Sequence, residues 1–202
     1  AAMLRVLGMS GRALEGLDDQ QVRRQSYDDD WSVAQVASHL GSGAELFTLF
    51  LDDFVDEIGV DAARWYLLAR GHDQTIEIDV DLAAERSQKN PVYYVQYAHA
   101  RVAGILRNAE GHLQDARPVV PLAVEERELV KRLLELPAVV REATARRAPH
   151  AIPAYAIRVA DDFHRFYHHH RVLDSEEEDF RLGLCLATRD VVATCLDLLG
   201  IE

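Results

Sequence analysis

The segment Asn90–Arg101 constrains this chain most, because it combines a helix start with a helix of two different faces. Asn90 can accept a backbone N–H as an N-cap, and Pro91 suits the first helical position, where no donor is needed. Helical residues advance by about 100° each, so two groups of side chains separate. One side collects Val92, Val95, His99, Val102 and Leu106, and the other collects Tyr93, Tyr97, Arg101 and Asn108, with Tyr94 beside them.

The two faces of this helix predict different roles. The apolar face is expected to pack in a core, while the other face presents rings and a positive charge. Aromatic rings stack on unpaired bases, and arginine binds phosphate or stacks in turn, so the second face is a candidate RNA-binding surface. The same spacing also suits tyrosines in a second, half-buried packing face, and the residues alone leave both interpretations open.

Helical periodicity recurs along most of the chain and predicts an all-α fold, a helical bundle. The predicted helices cover residues 3–16, 32–51, 60–70, 91–110, 124–145, 153–171 and 180–199. Gly71 and Gly111 mark helix ends, and prolines mark the connections at 118–121 and 149–153. Only Thr75–Val80 alternates apolar with polar residues, and a lone strand has no partner, so we expect an extended crossing segment there.

The net charge of −12 counts against nucleic-acid binding, because phosphate contacts depend on lysine and arginine. The distribution of charge is more favourable. Residues 86–117 hold five basic and two acidic side chains, and residues 127–171 hold nine basic and five acidic ones. Acidic residues concentrate at 28–30, 52–61 and 176–179. We therefore expect local positive surface and a weak, salt-sensitive affinity of the isolated chain for RNA.

The composition is that of a globular protein, with 49% apolar and 28% charged residues. No apolar run approaches the ~18 residues that cross a bilayer, and the N-terminus lacks the pattern of a secretory signal, so we expect no membrane association and a cytoplasmic location. Cys185 and Cys195 fall on one predicted helix roughly 15 Å apart, beyond the reach of a disulfide. They are expected to be free thiols in the core.

The segment Asn90–Arg101 resembles the signature of the C-terminal anticodon-binding domain of class I arginyl-tRNA synthetases, the all-helical domain called DALR. Asp56–Leu68 resembles the family segment ahead of that domain, and Ile76–Leu82 resembles its short extended link. Further matches follow in family order at Phe163–Tyr167, Arg171–Leu173, Ala187–Arg189 and Leu196–Gly200. The resemblance covers residues 53–202, which predicts an anticodon-binding-like bundle preceded by an N-terminal helical segment at residues 1–52.

This resemblance implies a module that holds the anticodon stem and loop of arginine tRNA while a separate synthetase catalytic domain attaches the amino acid. Six residues in the matching motifs are predicted to contact RNA: Tyr94, Tyr97, Arg101, Arg165, Tyr167 and Arg171. Gln96 and His99 belong to the first motif too, but the helix turns them inward, so we expect structural roles for them. The sequence sets no oligomeric state.

Residues 26–51 carry a second resemblance. Trp31–Glu45 is similar to the second-helix signature of DinB-like proteins, especially the N-terminal module of mycothiol-dependent maleylpyruvate isomerases. In that family the histidine that matches His39 is one of three metal ligands, and no later pair in this chain matches the other two. Because a tight catalytic site uses about three protein ligands, no metal site is predicted. The combination fits a fusion, an artificial sequence or a truncated synthetase with a replaced front.

No catalytic constellation is recognised, and we expect no catalytic residue, metal or cofactor. Neither cysteine has a neighbour that lowers its pKa, and no Walker loop, dinucleotide fingerprint or nucleophile elbow occurs. His164 and His168 have i,i+4 spacing, which fits a solvated helix end better than a surface metal site. Two alternative functions stay open: a DinB-like metal- or thiol-dependent transferase or isomerase that uses His39, and a structural helical bundle without RNA affinity.

Overall fold

The computed structural model describes residues 19–24, 51–71, 74–109 and 116–202. The chain divides into two compact units, Ala1–Asp56 and Glu57–Glu202. In the first unit, Asp19–Val22 form the short helix α1. The predicted helices at residues 3–16 and 32–51 lie outside the described residues, except for residue 51, which is helical.

The second unit is built from helices. Their bounds are α2 Val60–Leu68, α3 Val80–Ala84, α4 Pro91–Asn108, α5 Val124–Leu134, α6 Leu136–Arg146, α7 Ala151–His169 and α8 Glu178–Leu199. The described residues contain no strand, which confirms the all-α prediction. Residues 75–79 are neither helix nor strand, as expected. Val80 nevertheless begins α3, a helix that was not predicted from the sequence. The side chain of Asp79 caps this helix by accepting the Leu82 N–H.

The core lies where α4, α7 and α8 meet, and α5 and α6 pack against α7. Each of the three central helices turns an apolar stripe towards the others, as expected for members of a helical bundle. The side chains that are completely excluded from solvent include Val92, Val95, Val102, Tyr155, Phe163, Phe166, Val192 and Cys195. This core fixes the position of α4 relative to α7, the two helices that form the candidate site described below.

Helix α4 begins as its sequence predicts. Asn90 accepts the N–H of Val92 at 3.3 Å and donates through Nδ2 to the carbonyl of Ala83 at 2.8 Å, so this buried cap also joins α4 to α3. The buried stripe is Val92, Val95, Ala98, Val102 and Ile105. Leu106 was expected on this face but is only half-buried, because the stripe continues through Ile105, three residues after Val102.

The single helix predicted at residues 124–145 is two helices, so that prediction was wrong. α5 ends at Leu134 and α6 begins at Leu136. Pro137 explains the break, because proline has no N–H for the helical bond and its ring clashes with the preceding turn. Pro153 has no such effect, since it lies in the first turn of α7, where its N–H would have no helical partner.

Two ion pairs of low exposure hold α5 against its neighbours. Arg132 donates through Nε to Asp162 on α7 at 2.8 Å, and Arg181 on α8 donates through Nε to Glu126 at 2.8 Å. Glu126 also accepts the backbone N–H of Ala123, which fixes the start of α5. The carboxylates in these pairs are buried, so each needs its partner to offset the loss of water.

The end of the chain is anchored to α2 and α4. Gly200 ends α8 in the left-handed region at φ 69°, and its carbonyl accepts a hydrogen bond from Arg64. Gln96 donates to Asp61 at 3.0 Å and to the carbonyl of Glu202 at 2.6 Å. These bonds give Gln96 the structural role that its place on the helix predicts.

Cys185 and Cys195 are free and buried, as predicted. Burial raises the pKa of each thiol to about 12, so both carry their protons at neutral pH. Among the described helices, none is long and apolar enough to cross a membrane.

Candidate nucleic-acid interface

An arginine lies between two tyrosine rings on the surface of the bundle. The guanidinium carbon of Arg101 is 4.6 Å from the centre of the Tyr97 ring and 4.9 Å from that of Tyr167. Arg101 also donates through Nη2 to the Tyr97 hydroxyl at 2.6 Å. We call Tyr97, Arg101 and Tyr167 the Arg101 stack. Tyr97 is 37% and Tyr167 38% exposed, so both rings are accessible to a ligand.

The helices explain why these three residues meet. Tyr97 and Arg101 are four residues apart on α4 and therefore lie on one face of that helix. Tyr167 comes from the last turns of α7, which packs against α4. Each cation–ring contact contributes roughly 0.5–1 kcal/mol at an exposed position. The stack is therefore a preformed arrangement held by tertiary packing.

His164 supports the stack from the side of the core. Its Nδ1 lies 3.3 Å from Nη1 of Arg101, and its ring centre lies 5.0 Å from the Tyr94 ring and 5.9 Å from the Tyr97 ring. Burial, and then the positive charge of Arg101, lower the pKa of His164. The ring is therefore neutral at neutral pH, and Nδ1 accepts the hydrogen bond from Arg101.

The prediction for His164 was wrong. Its spacing from His168 suggested a solvated helix end or a surface metal pair, whereas the ring is half-buried among aromatic side chains. The pattern of buried and exposed positions along α7 could have indicated the position of His164. Phe163 is fully buried, and His164 lies next to it, against α4. No group of three or more metal-ligating side chains occurs among the described residues.

Tyr94 is more tightly bound into the protein than Tyr97. It is half-buried, and its hydroxyl donates to Asp161 on α7 at 2.7 Å. Burial, followed by the hydrogen bond to Asp161, raises the pKa of Tyr94, so the phenol stays protonated. Of the tyrosines predicted to contact RNA, Tyr97 and Tyr167 are therefore the more accessible.

A hollow of about 720 Å³ opens beside the stack. Its lining includes Arg101 and Tyr167 from the stack, Asn108 at the end of α4, and Arg171. The lining is completed by Gly104, Ile105, His168, His169, His170, Val172, Leu173 and Asp174. Arg171 is 73% exposed and pairs with Asp174, which is 77% exposed. Such an exposed pair adds little stability, so Arg171 can exchange its partner for an incoming anion.

A second hollow of about 510 Å³ lies at Tyr97. Its lining includes Tyr93, Gln96 and Tyr97 from α4 together with Arg86 from the preceding loop. The Arg101 stack therefore contributes to both hollows, through Arg101 and Tyr167 to the first and through Tyr97 to the second, and each hollow contains an arginine. Arg86 was not among the residues predicted to contact RNA, although it lies at the start of the basic stretch 86–117.

The structure brings together most of the residues that were predicted to contact RNA. Tyr94, Tyr97, Arg101 and Tyr167 form one cluster, and Arg171 lines the adjoining hollow. Arg165 does not line that hollow. Its side chain is 57% exposed and lies 3.6 Å from Asp162, one helical turn away on α7.

The family model of the DALR anticodon binding domain matches residues 95–202. This range begins within α4 and contains Tyr97, Arg101, Tyr167 and Arg171. The chain belongs to the DALR anticodon-binding domain family. The resemblance read from the sequence is thereby confirmed.

Curated relatives of this DALR domain are arginine–tRNA ligases. The chain is 42% identical over 160 residues to that of Desulfitobacterium hafniense, which covers 75% of this chain and 28% of the relative. It is also 42% identical over 161 residues to that of Desulforudis audaxviator, with 75% and 29% covered. The chain thus spans less than a third of the length of these relatives.

Solved structures give the same fold. A Campylobacter jejuni crystal structure assigned as an arginyl-tRNA synthetase is 34% identical, with a TM-score of 0.69 over 74% of this chain and 34% of that one. The Thermus thermophilus arginyl-tRNA synthetase matches 99% of this chain and 30% of its own, with a TM-score of 0.62 and 23% identity, which is a likeness of fold alone. The helical bundle of the synthetase type is confirmed.

The model of the mycothiol maleylpyruvate isomerase N-terminal domain matches residues 7–138, so the chain belongs to this second family as well. That match confirms the second resemblance, and its range overlaps the DALR range at residues 95–138. His39, the histidine on which the DinB-like alternative depends, lies outside the described residues.

Proposed function

We propose that this chain is a tRNA-binding module that holds the anticodon stem and loop of arginine tRNA. The observation that carries the proposal is the Arg101 stack, with two accessible tyrosine rings beside a hollow that contains Arg101 and Arg171. Proteins that read single-stranded loops stack unpaired bases on such rings and bind phosphates with arginine. Membership of the DALR family supports this choice of ligand.

The six predicted residues take different roles in this proposal. Tyr97 and Tyr167 offer ring faces to bases, and Arg171 binds a backbone phosphate at the edge of the hollow. Arg101 is already held by two rings and by His164, so it orients the tyrosines and adds positive charge. Tyr94 supports the cluster through its bond to Asp161. Arg165, outside the hollow, attracts the phosphate backbone at longer range.

The size of the hollow is compatible with this ligand. Its volume of about 720 Å³ falls within the ~300–1,000 Å³ of typical small-ligand sites, so a splayed base fits without rearrangement of the bundle. The net charge of −12 opposes close approach of RNA, while the arginines of the site favour it locally. The isolated chain should therefore bind with modest affinity that falls steeply as salt is added.

The chain matches only part of the length of its arginine–tRNA ligase relatives. It spans 28% of the length of its Desulfitobacterium hafniense relative, and we assign residues 53–202 to the anticodon-binding-like bundle and residues 1–52 to a separate N-terminal helical segment. A separate synthetase catalytic domain, in the cytoplasm, then attaches the amino acid. The alternatives, a DinB-like transferase and a bundle without RNA affinity, are not favoured, since the relatives and solved structures above are arginine–tRNA ligases or synthetases.

The proposal is tested by titrating the chain with arginine tRNA and with the same tRNA carrying a changed anticodon loop, each at low and high salt. We expect tighter binding of the unchanged tRNA at both salt concentrations, because base contacts survive the screening that removes phosphate attraction. Equal affinity for the two RNAs would show nonspecific electrostatic binding and overturn the proposal.

A further inference from the structure

We infer that His164 is a positioning residue: its neutral ring accepts a hydrogen bond from Arg101 and holds the guanidinium between Tyr97 and Tyr167, and protonation of His164 releases Arg101. The consequence for RNA rests on the proposed function, since the stack must contact RNA for its release to weaken binding. The positioning itself is a property of the protein alone. None of the residues that the motifs predict to contact RNA was assigned this role of positioning Arg101.

The geometry leaves Arg101 three kinds of contact in the cluster. Its plane is covered by the rings of Tyr97 and Tyr167, its Nη2 donates to the Tyr97 hydroxyl, and its Nη1 points to Nδ1 of His164 at 3.3 Å. The contacts with Tyr97 lie within α4 and do not fix Arg101 relative to α7. The hydrogen bond to His164 does, because His164 and Tyr167 are on the same helix and three residues apart.

The protonation state of His164 decides whether that bond exists. A neutral imidazole has one donor nitrogen and one acceptor nitrogen, so a ring that accepts at Nδ1 carries its proton at Nε2. In the structure Nε2 is buried and has no hydrogen-bond partner. A second proton at Nδ1 would remove the acceptor and place a positive charge 3.3 Å from the guanidinium nitrogen, where the two cations repel each other.

The groups that face His164 set the pH at which this happens. From α4 these are Arg101, which opposes protonation, the backbone of Tyr94, which favours it, and the phenols Tyr94 and Tyr97. From its own helix Asp161 favours protonation, but its carboxylate also accepts the Tyr94 hydroxyl. Among the described residues, the interactions of His164 that involve charge come from α4 and α7 only. Burial and Arg101 outweigh Asp161 and the Tyr94 backbone, so release occurs below the ordinary pKa of histidine.

The first experiment needs no RNA. Nuclear Overhauser contacts between the Arg101 side chain and the rings of Tyr97 and Tyr167 are measured in the 202-residue chain at about pH 7.5 and at a lower pH at which the ring resonances of His164 show that it has titrated. We expect the contacts with Tyr167 at the higher pH and their loss at the lower pH. Persistence of the Tyr167 contacts after His164 has titrated would overturn the inference, and this arm requires no variant that has to fold.

The matched variant is His164→Asn, whose amide oxygen can accept from Arg101 near the position of Nδ1 but cannot titrate. In this variant the Arg101–Tyr167 contacts should persist at both pH values. The other histidines of the chain are common to both proteins, so their contribution is the same on both sides of the comparison. Loss of the contacts at low pH in the variant as well would assign the effect to another group and contradict the inference.

The second experiment measures affinity for an arginine-tRNA anticodon stem–loop at the same two pH values. On acidification the wild-type chain should lose about ten-fold more affinity than His164→Asn, the change expected for one hydrogen bond to a charged group. Equal losses in the two proteins would reject the link to RNA while leaving the proposed function intact. Absence of binding by both proteins at about pH 7.5 would instead reject the proposed function, and the contacts measured without RNA would then decide the inference.

Discussion

The guanidinium of Arg101 lies 4.9 Å from the ring centre of Tyr167, although the two residues belong to helices separated in the sequence by α5 and α6. The contact exists because α4 and α7 pack side by side in the core. A change on either helix therefore alters a surface that both contribute to. The expected effects of such changes on RNA binding and on stability follow from these contacts.

Replacing Tyr167 by alanine removes one of the two exposed rings of the stack. If the ring stacks on a base, Tyr167→Ala should weaken binding of an arginine-tRNA anticodon stem–loop by about 1–3 kcal/mol. The ring is 38% exposed, so the free energy of unfolding should change much less than for a core aromatic residue. Fluorescence titration and urea unfolding measure the two quantities. The control Tyr167→Phe keeps the ring and should bind normally, so an equal loss in both variants would exclude stacking.

Replacing Arg171 by glutamine tests the phosphate contact. Arg171→Gln should weaken binding of different RNA loops about equally and reduce the slope of log affinity against log salt by about one. Arg146→Gln is the matched control, because Arg146 is also 73% exposed and paired with an acidic neighbour, but it lies on α6 and does not line the hollow. A salt slope that falls equally in both variants would show a general effect of net charge.

The buried carboxylate of Glu126 should matter for stability. Glu126→Ala leaves Arg181 without its carboxylate partner, at a side-chain exposure of only 16%, and removes the bond to the Ala123 N–H, so the free energy of unfolding should fall by about 3 kcal/mol. Glu128→Ala on the same helix breaks an exposed pair with Lys131 and should cost less than about 1 kcal/mol. Urea unfolding of both variants measures the difference. Similar losses would mean that burial does not decide the strength of these pairs.

The lowered pKa of His164 also predicts how stability depends on pH. In the unfolded chain His164 titrates near the ordinary value of 6.5, whereas in the folded chain it titrates at a lower pH. Between these two values the unfolded state binds more protons, so stability that is present above about pH 6.5 is lost as the pH falls. The free energy of unfolding should therefore decrease more on acidification in the wild type than in His164→Asn. Parallel pH profiles would show that the folded chain does not perturb His164.

Local signals made much of α4 predictable. Asn90 followed by Pro91 defines the helix start through a cap and a missing donor, and both act as expected. The spacing of the valines set the buried face, but two predicted positions are wrong by one residue, because Ala98 rather than His99 and Ile105 rather than Leu106 are buried. These features depend on neighbours within a turn or two, which a sequence displays directly.

Features that depend on tertiary contacts could not be predicted. The bond from Tyr94 to Asp161 and the position of His164 beside Arg101 arise only when α7 packs against α4. The break at Pro137 is different, because proline disfavours a helix interior and this signal is present in the sequence itself. The candidate site was therefore predictable in its aromatic and basic residues, and the histidine that organises them was not.

Chemical-shift mapping tests the central claim, that the Arg101 stack is the RNA-binding surface, most directly. The amide and side-chain resonances of the 202-residue chain are recorded during titration with an arginine-tRNA anticodon stem–loop. The largest shifts should fall on Tyr97, Arg101, Tyr167 and Arg171, and they should disappear with a stem that lacks the loop. Saturable binding whose shifts lie elsewhere on the bundle and leave these four residues unchanged would contradict the claim.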